Sequence, residues 1–235
     1  HDKRLYLVVL AMVLLLLAAC GGSSSSEADT PEGGDDSAYK GVFQVAMQPA
    51  VNLDPIAISS DSEVLIANHV YDYLIDVDAQ NNLKSRLATS YGASVDGLTY
   101  TIELAEGVRF HDGSDLTADD VVWTFERLRD TEGTPTSDLY ANIVEITAVS
   151  ESTVRFTLAE PNPFFGYDLS DNHAVVLKAG TEDAATVFNG TGPFKVANYS
   201  PEDRIELVAN EDYFVEGEPR LAGLDIIFFN DDAAA

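Results

Sequence analysis

The stretch "DGLTYTIELAEGVRFHDGSDLTADDVVWTFERL", Asp96 to Leu128, changes its apolar period partway along, and that change decides the fold class. Leu98, Tyr100, Ile102 and Leu104 alternate with Thr99, Thr101 and Glu103, as a half-buried strand requires. Beyond Thr117 the spacing becomes helical, and Val121, Val122, Phe125 and Leu128 fall on one apolar face. Thr117 is a good N-cap, Asp120 completes a box-like Thr-x-x-Asp, and Asp119 and Asp120 suit the positive end of the helix dipole. Asp112-Gly113 between them supplies a tight turn after a strand at Val108 to Phe110. Strand, turn and capped helix in succession predict a mixed α+β chain of the α/β class.

The histidine and acids of this stretch also invite a chemical reading. A general base needs a positioned partner, and His111 has none at a recognised spacing. Metal binding through His111, Asp112 and Asp115 lacks a second histidine at helical spacing and lacks the calcium-loop pattern. The residues are expected to build a strand-to-helix corner.

Working outward, Lys40 to Met47 reads as a strand ending at Gln48-Pro49. Asp61 to Leu74 reads as a helix with Val64, Leu65, Tyr71 and Leu74 turned to the core. Downstream, Ile143 to Val149 and Val154 to Leu158 predict a hairpin across Ser150-Glu151-Ser152. Ala174 to Leu177 reads as an apolar strand, and Phe194 and Val196 should pair with Ile205 and Leu207 across Ser200 to Asp203. Leu224 to Phe229 is apolar on both faces apart from Asp225, as a central strand would be. No internal repeat is visible.

Composition limits what these elements can do. The 235 residues are 46% hydrophobic and 23% charged, which suits a folded chain with a core. Acids outnumber bases 40 to 13 for a formal charge of -27, which argues against nucleic acid as a partner and is compatible with a salt-rich habitat.

The N-terminus carries a short charged flank, Asp2-Lys3-Arg4, then the unbroken apolar run Leu5 to Leu17. A membrane-spanning helix needs roughly 20 apolar residues, so this run suits a secretory signal better than a permanent span. Residues 1–19 are read as a signal peptide, the alternatives being a short anchor or a buried helix. The chain opens on His1, which suggests an incomplete start. Cys20 is the single cysteine, directly behind Leu17-Ala18-Ala19, and the segment resembles the bacterial lipobox. That resemblance implies a lipid-modified Cys20 anchored to the membrane, and it leaves no cysteine for a disulfide or thiol catalysis. Residues 20–38, with no large apolar side chain, read as a flexible acidic tether, so folding should begin near Tyr39. The expected location is extracytoplasmic, held at the membrane in the periplasm or at the cell surface.

Two blocks then resemble one family. Asp96 to Leu128 looks like the signature of the family 5 extracellular solute-binding proteins, the peptide- and nickel-binding receptors of ABC importers. "NGTGPFKVANYSPEDRIELVANEDYF", Asn189 to Phe214, resembles the family's Gly-Thr-Gly-Pro-aromatic segment and its following hairpin. "LDP" at Leu53 to Pro55 stands in the matching order, and the likeness runs from Tyr39 to Ala235. It implies the first lobe of a two-lobed periplasmic-binding-protein-like fold, type II or cluster C, which closes on ligand between lobes. Residues 39–56 with 161–235 would form a core subdomain, and 57–160 a smaller inserted one. The second lobe is expected to be missing.

By the same resemblance the protein is a non-enzymatic, monomeric receptor that delivers oligopeptides or dipeptides to a membrane permease, without cofactor or metal. The alternatives are another solute, such as a nickel chelate or an oligosaccharide, or more remotely a secreted hydrolase with paired carboxylates. In relatives the loop after the first strand lines the cleft, which points to Gln48, Pro49, Val51 and Asn52, with an ordinary strand-ending turn as the alternative. Asn172 and His173 are a second choice, against a plain solvated loop. Gly190-Thr191-Gly192-Pro193 lacks the lysine of a phosphate loop, and backbone geometry explains its glycines better.

Overall fold

The computed structural model describes residues 41–229, all in one compact unit of the chain. The signal run, Cys20 and the acidic tether lie outside the described residues.

Two four-stranded sheets carry the fold, with strands of alternating burial laid against helices. The first takes strands from both ends of the described chain: β1 (Val42–Met47), β8 (Phe194–Ser200), β9 (Arg204–Ala209) and β10 (Gly223–Phe228). Their order is β1-β10-β9-β8, with β1 and β10 parallel and the other pairs antiparallel. The expected central strand is indeed interior, and Leu224, Ile226 and Phe228 are buried beside Ile205 and Leu207 of its neighbour. The second sheet is antiparallel and drawn from the middle of the chain: β4 (Ala88–Ala93), β5 (Thr99–Leu104), β6 (Ile143–Ser150) and β7 (Thr153–Leu158), in the order β4-β5-β7-β6. Tyr100, Ile102 and Leu104 point inward as their period-2 spacing demands. A small ribbon, β2 (Ile75–Val77) with β3 (Leu83–Ser85), completes the strands.

Helix α1 (Asp61–Val70) lies against β8, and α2 (Ala118–Asp130) lies against β6 and β7. In α2 the face Ala118, Val121, Phe125 and Leu128 is fully buried, with Val122 only partly so. Phe125 meets Tyr140 and Phe156 edge-on, at centroid distances of 5.4 and 5.2 Å. Each such large side chain contributes about 1.5–3 kcal/mol through burial. Two short helices, α3 (Pro135–Leu139) and α4 (Phe165–Asp168), connect the layers. Among the described residues no helix is long and apolar enough to cross a membrane.

Three expectations need correction. Helix α1 stops at Val70 and not at Leu74, because Gly192 donates its N–H to the Val70 carbonyl at 3.0 Å and Tyr71 turns extended. Tyr71 and Leu74 are core residues, but of the connection that follows. Ala174 to Leu177 is wholly buried yet forms no regular strand, since its backbone is met by an isolated bridge from Tyr73 to Val175 and by the Thr124 hydroxyl at Leu177. Val108 to Phe110 likewise makes one bridge, Arg109 to Asp115, instead of a strand.

Candidate functional site

The corner from His111 to Asp120 is a structural joint. His111 donates its backbone N–H to the Gly190 carbonyl, and its Nε2 lies 3.0 Å from the Gly192 carbonyl. Burial holds its imidazole below the ordinary histidine pKa. Asp112 accepts from Ser114, and Asn189 clasps it twice, at 3.0 Å through the Asp112 N–H and at 2.9 Å through its carboxylate. Asp115 pairs with Arg109 in solvent at 3.1 Å. His111, Asp112 and Asp115 are therefore engaged separately, and among the described residues no group of three or more His, Cys, Asp or Glu is gathered as metal ligands would be.

Asp120 does more than the sequence suggested. Its carboxylate accepts both the N–H and the hydroxyl of Thr117, at 2.8 and 3.0 Å, which closes the box expected at this N-cap. The other oxygen takes the Ala179 N–H at 2.8 Å, fastening the buried stretch before it to α2.

The glycines of the Gly-Thr-Gly segment exist for close approach. A Cβ on Gly190 would fall inside the Val70 carbonyl, and one on Gly192 would sit 2.5 Å from Val70 C. Between them Thr191 is buried and donates to Asp72 at 3.0 Å. Asp72, 1% exposed, also accepts from the Tyr213 hydroxyl at 2.9 Å and lies 3.2 Å from Arg86. Burial pushes this carboxyl upward, while Arg86, Tyr213 and Thr191 oppose the rise.

The six residues expected to face a ligand fall into two loops that the fold joins. After β1 the chain leaves the sheet with Gln48 exposed, Pro49 half-buried, and Val51 93% exposed. Asn52 is half-buried, and its side-chain oxygen accepts the Asp54 N–H at 2.9 Å, an Asx turn that explains its place. On the second loop Asn172 is exposed, and its carbonyl receives the Tyr73 hydroxyl at 3.5 Å. His173 sets Nδ1 2.6 Å from Asp171 and Nε2 3.0 Å from the Ile58 carbonyl. The Asp171 bond raises the imidazole pKa, burial works against it, and Asp171 itself is lowered by the same pairing against its own burial.

Glu63, which the sequence reading passed over, lies between the two loops. It is 2% exposed, on the first turn of α1. One oxygen accepts the N–H groups of Val51 and Asn52 at 2.9 and 2.8 Å; the other accepts those of Ser59 and Ser60 at 2.7 and 3.0 Å. Burial raises this carboxyl's pKa, but the four backbone donors outweigh it and hold the group below the ordinary value. The pattern Ser60-x-x-Glu63 is a capping-box signature and was the available signal. Asp54 is held from the other side by the Arg127 guanidinium. A shallow polar depression of about 420 Å³ lies elsewhere, over β4 and β5, and includes none of the six residues.

Known proteins agree with this architecture. Residues 82–235 match the family described as bacterial extracellular solute-binding proteins, family 5 Middle. The glutathione-binding protein GsiB of Escherichia coli K12 is 30% identical over 190 residues, covering 78% of this chain and 37% of that protein. The oligopeptide-binding protein AppA of Bacillus subtilis, solved with a nonapeptide, superposes at a TM-score of 0.74 with 29% identity, over 83% of this chain and 41% of that one. NikZ of Campylobacter jejuni, solved with Ni(L-His), gives a TM-score of 0.72 and 27% identity over 82% and 40%. The chain thus spans about two fifths of the length of these relatives. With its mixed α/β fold, its two signature blocks and a family match over well over half its length, the chain belongs to the family 5 bacterial extracellular solute-binding proteins.

Proposed function

We propose that the protein is the solute-capturing receptor of an ABC importer, that its solute is a short peptide, and that Gln48, Pro49, Val51, Asn52, Asn172 and His173 face it. The observation that carries this reading is the loop after β1. It leaves the carboxyl end of β1 in its parallel pairing with β10, the edge where open α/β sheets bind ligands, and Val51 projects into solvent while its own N–H is fixed. A side chain held out on a rigid backbone binds without a large ordering cost.

Peptide is favoured over metal chelate at His173, because both its ring nitrogens are already engaged and coordination through either would break a bond that orders the loop. The two sheets support a division into a core subdomain, 39–56 with 161–235, and an inserted subdomain, 57–160, since each sheet draws its strands from one of these sets. Lipid attachment at Cys20 would hold the receptor outside the cytoplasmic membrane, beside its permease, and a diacylglyceryl mass on that cysteine in the membrane fraction is the direct check.

The test of function is calorimetric titration of the protein at the full length of its relatives with dipeptides to pentapeptides, oligosaccharides and nickel-histidine. Reversible binding of peptides without their hydrolysis is expected. Binding of the sugar or nickel complex alone would overturn the peptide assignment.

A further inference from the structure

We infer that Glu63 is a positioning residue for ligand capture, dividing its two carboxylate oxygens between the α1 cap and the loop that presents Val51 and Asn52. The inference rests on the proposal that residues 48–52 face the ligand. Its geometric basis is independent of that proposal: a single buried carboxylate receives four backbone N–H groups, two from each side of the Leu53 to Ile58 connection. Capping α1 requires only the Ser59 and Ser60 side of this arrangement. The Val51 and Asn52 side adds nothing to the helix, and its effect is to fix the backbone of the two residues between buried Ala50 and Leu53.

The same residue links to the second loop. His173 bonds the Ile58 carbonyl, and Ser59, the next residue, donates to Glu63, so displacement of one loop is felt by the other through a single intervening peptide. Both proposed ligand-facing segments are thus referred to one carboxylate.

Chemistry makes the substitution Glu63→Gln discriminating. A carboxylate presents two acceptors, whereas an amide presents one acceptor and one donor. Whichever way the amide is set, its NH2 faces two N–H donors, and one pair loses its acceptor. Ser60→Ala serves as the control, since it removes only the 3.4 Å bond from the Glu63 N–H to the Ser60 hydroxyl, with its Ser62 contact, and leaves Val51 and Asn52 alone.

Amide hydrogen exchange on the unliganded wild type comes first and needs no variant. Val51 and Asn52 should exchange about a hundredfold more slowly than in an unstructured peptide, although Val51 is 93% exposed. Exchange at free-loop rates would overturn the inference. Titration with the tightest peptide of a dipeptide-to-pentapeptide panel follows, on wild type, Glu63→Gln and Ser60→Ala. Glu63→Gln should bind about tenfold more weakly, and Ser60→Ala should match wild type while melting lower. Wild-type affinity in folded Glu63→Gln, or equal losses in both variants, would overturn the positioning role. If wild type binds no peptide, the ligand assignment of residues 48–52 fails and this inference fails with it.

Discussion

Two stretches of this protein that each lead into a capped helix with acids in its first turn do opposite things in the fold. Around His111 to Asp120 two of the acids and the histidine are spent on the fold: Asp112 clasps Asn189, Asp120 caps α2 and holds Ala179, and His111 meets the Gly192 carbonyl. Around Gln48 to Glu63 the one buried acid holds backbone, and the side chains it frees, Val51 above all, face solvent. The first region is built to be recognised by the rest of the fold, and the second is the one we propose to be recognised from outside. A signature block and a working surface need not coincide.

The comparison breaks most visibly at the joint. Asp72→Ala leaves Arg86, Tyr213 and Thr191 facing an empty acceptor site, and should cost about 4 kcal/mol, read as a loss of folded protein in denaturant titration. Gly190→Ala drives a methyl into the Val70 carbonyl and should cost about 3 kcal/mol in the same assay. Asp120→Ala removes a cap and an interelement bond together, for about 2 kcal/mol. None of these should alter peptide affinity in whatever fraction remains folded. Equal stability in all three would show that the joint is not where the fold is fastened.

On the other side the expected effects are smaller and differ in kind. The His173 imidazole has its folded pKa raised by Asp171, so its contribution is complete below the unfolded value of 6.5 and is lost as pH rises through the folded one. Once neutral, the ring keeps one N–H for two acceptors. The melting-temperature gap between wild type and His173→Ala should therefore narrow as pH rises from the acid side through that range. A gap that widens would place the ring's partners elsewhere.

The sequence revealed elements whose stability is local. The hairpin of β6 and β7, the hairpin of β8 and β9, the alternation in β5 and the face of α2 follow from period and turn chemistry, and each appears close to its expected bounds. What failed depended on distant partners. The Tyr71 to Leu74 continuation of α1 has helical spacing, but Gly192 takes the Val70 carbonyl and Asp72 is drawn into a buried cluster. The run Ala174 to Leu177 looks like a strand because it is buried all round, yet its partners are a hydroxyl on α2 and the backbone beside Tyr73. The wider role of Glu63 was hidden for the same reason: its capping box is legible, but three of its four N–H donors lie outside α1 and its cap, and no local pattern announces a carboxylate that serves the loop before its helix.

The most direct test sets one residue from each region side by side in calorimetric titration with peptide, using Val51→Ser and Asp115→Ala at the full length of the relatives. Both side chains are exposed, so each change should move stability by less than about 0.5 kcal/mol. Val51→Ser is predicted to weaken peptide binding by about fivefold and Asp115→Ala to leave it unchanged. Unaltered affinity in Val51→Ser, or a loss confined to Asp115→Ala, would contradict the account.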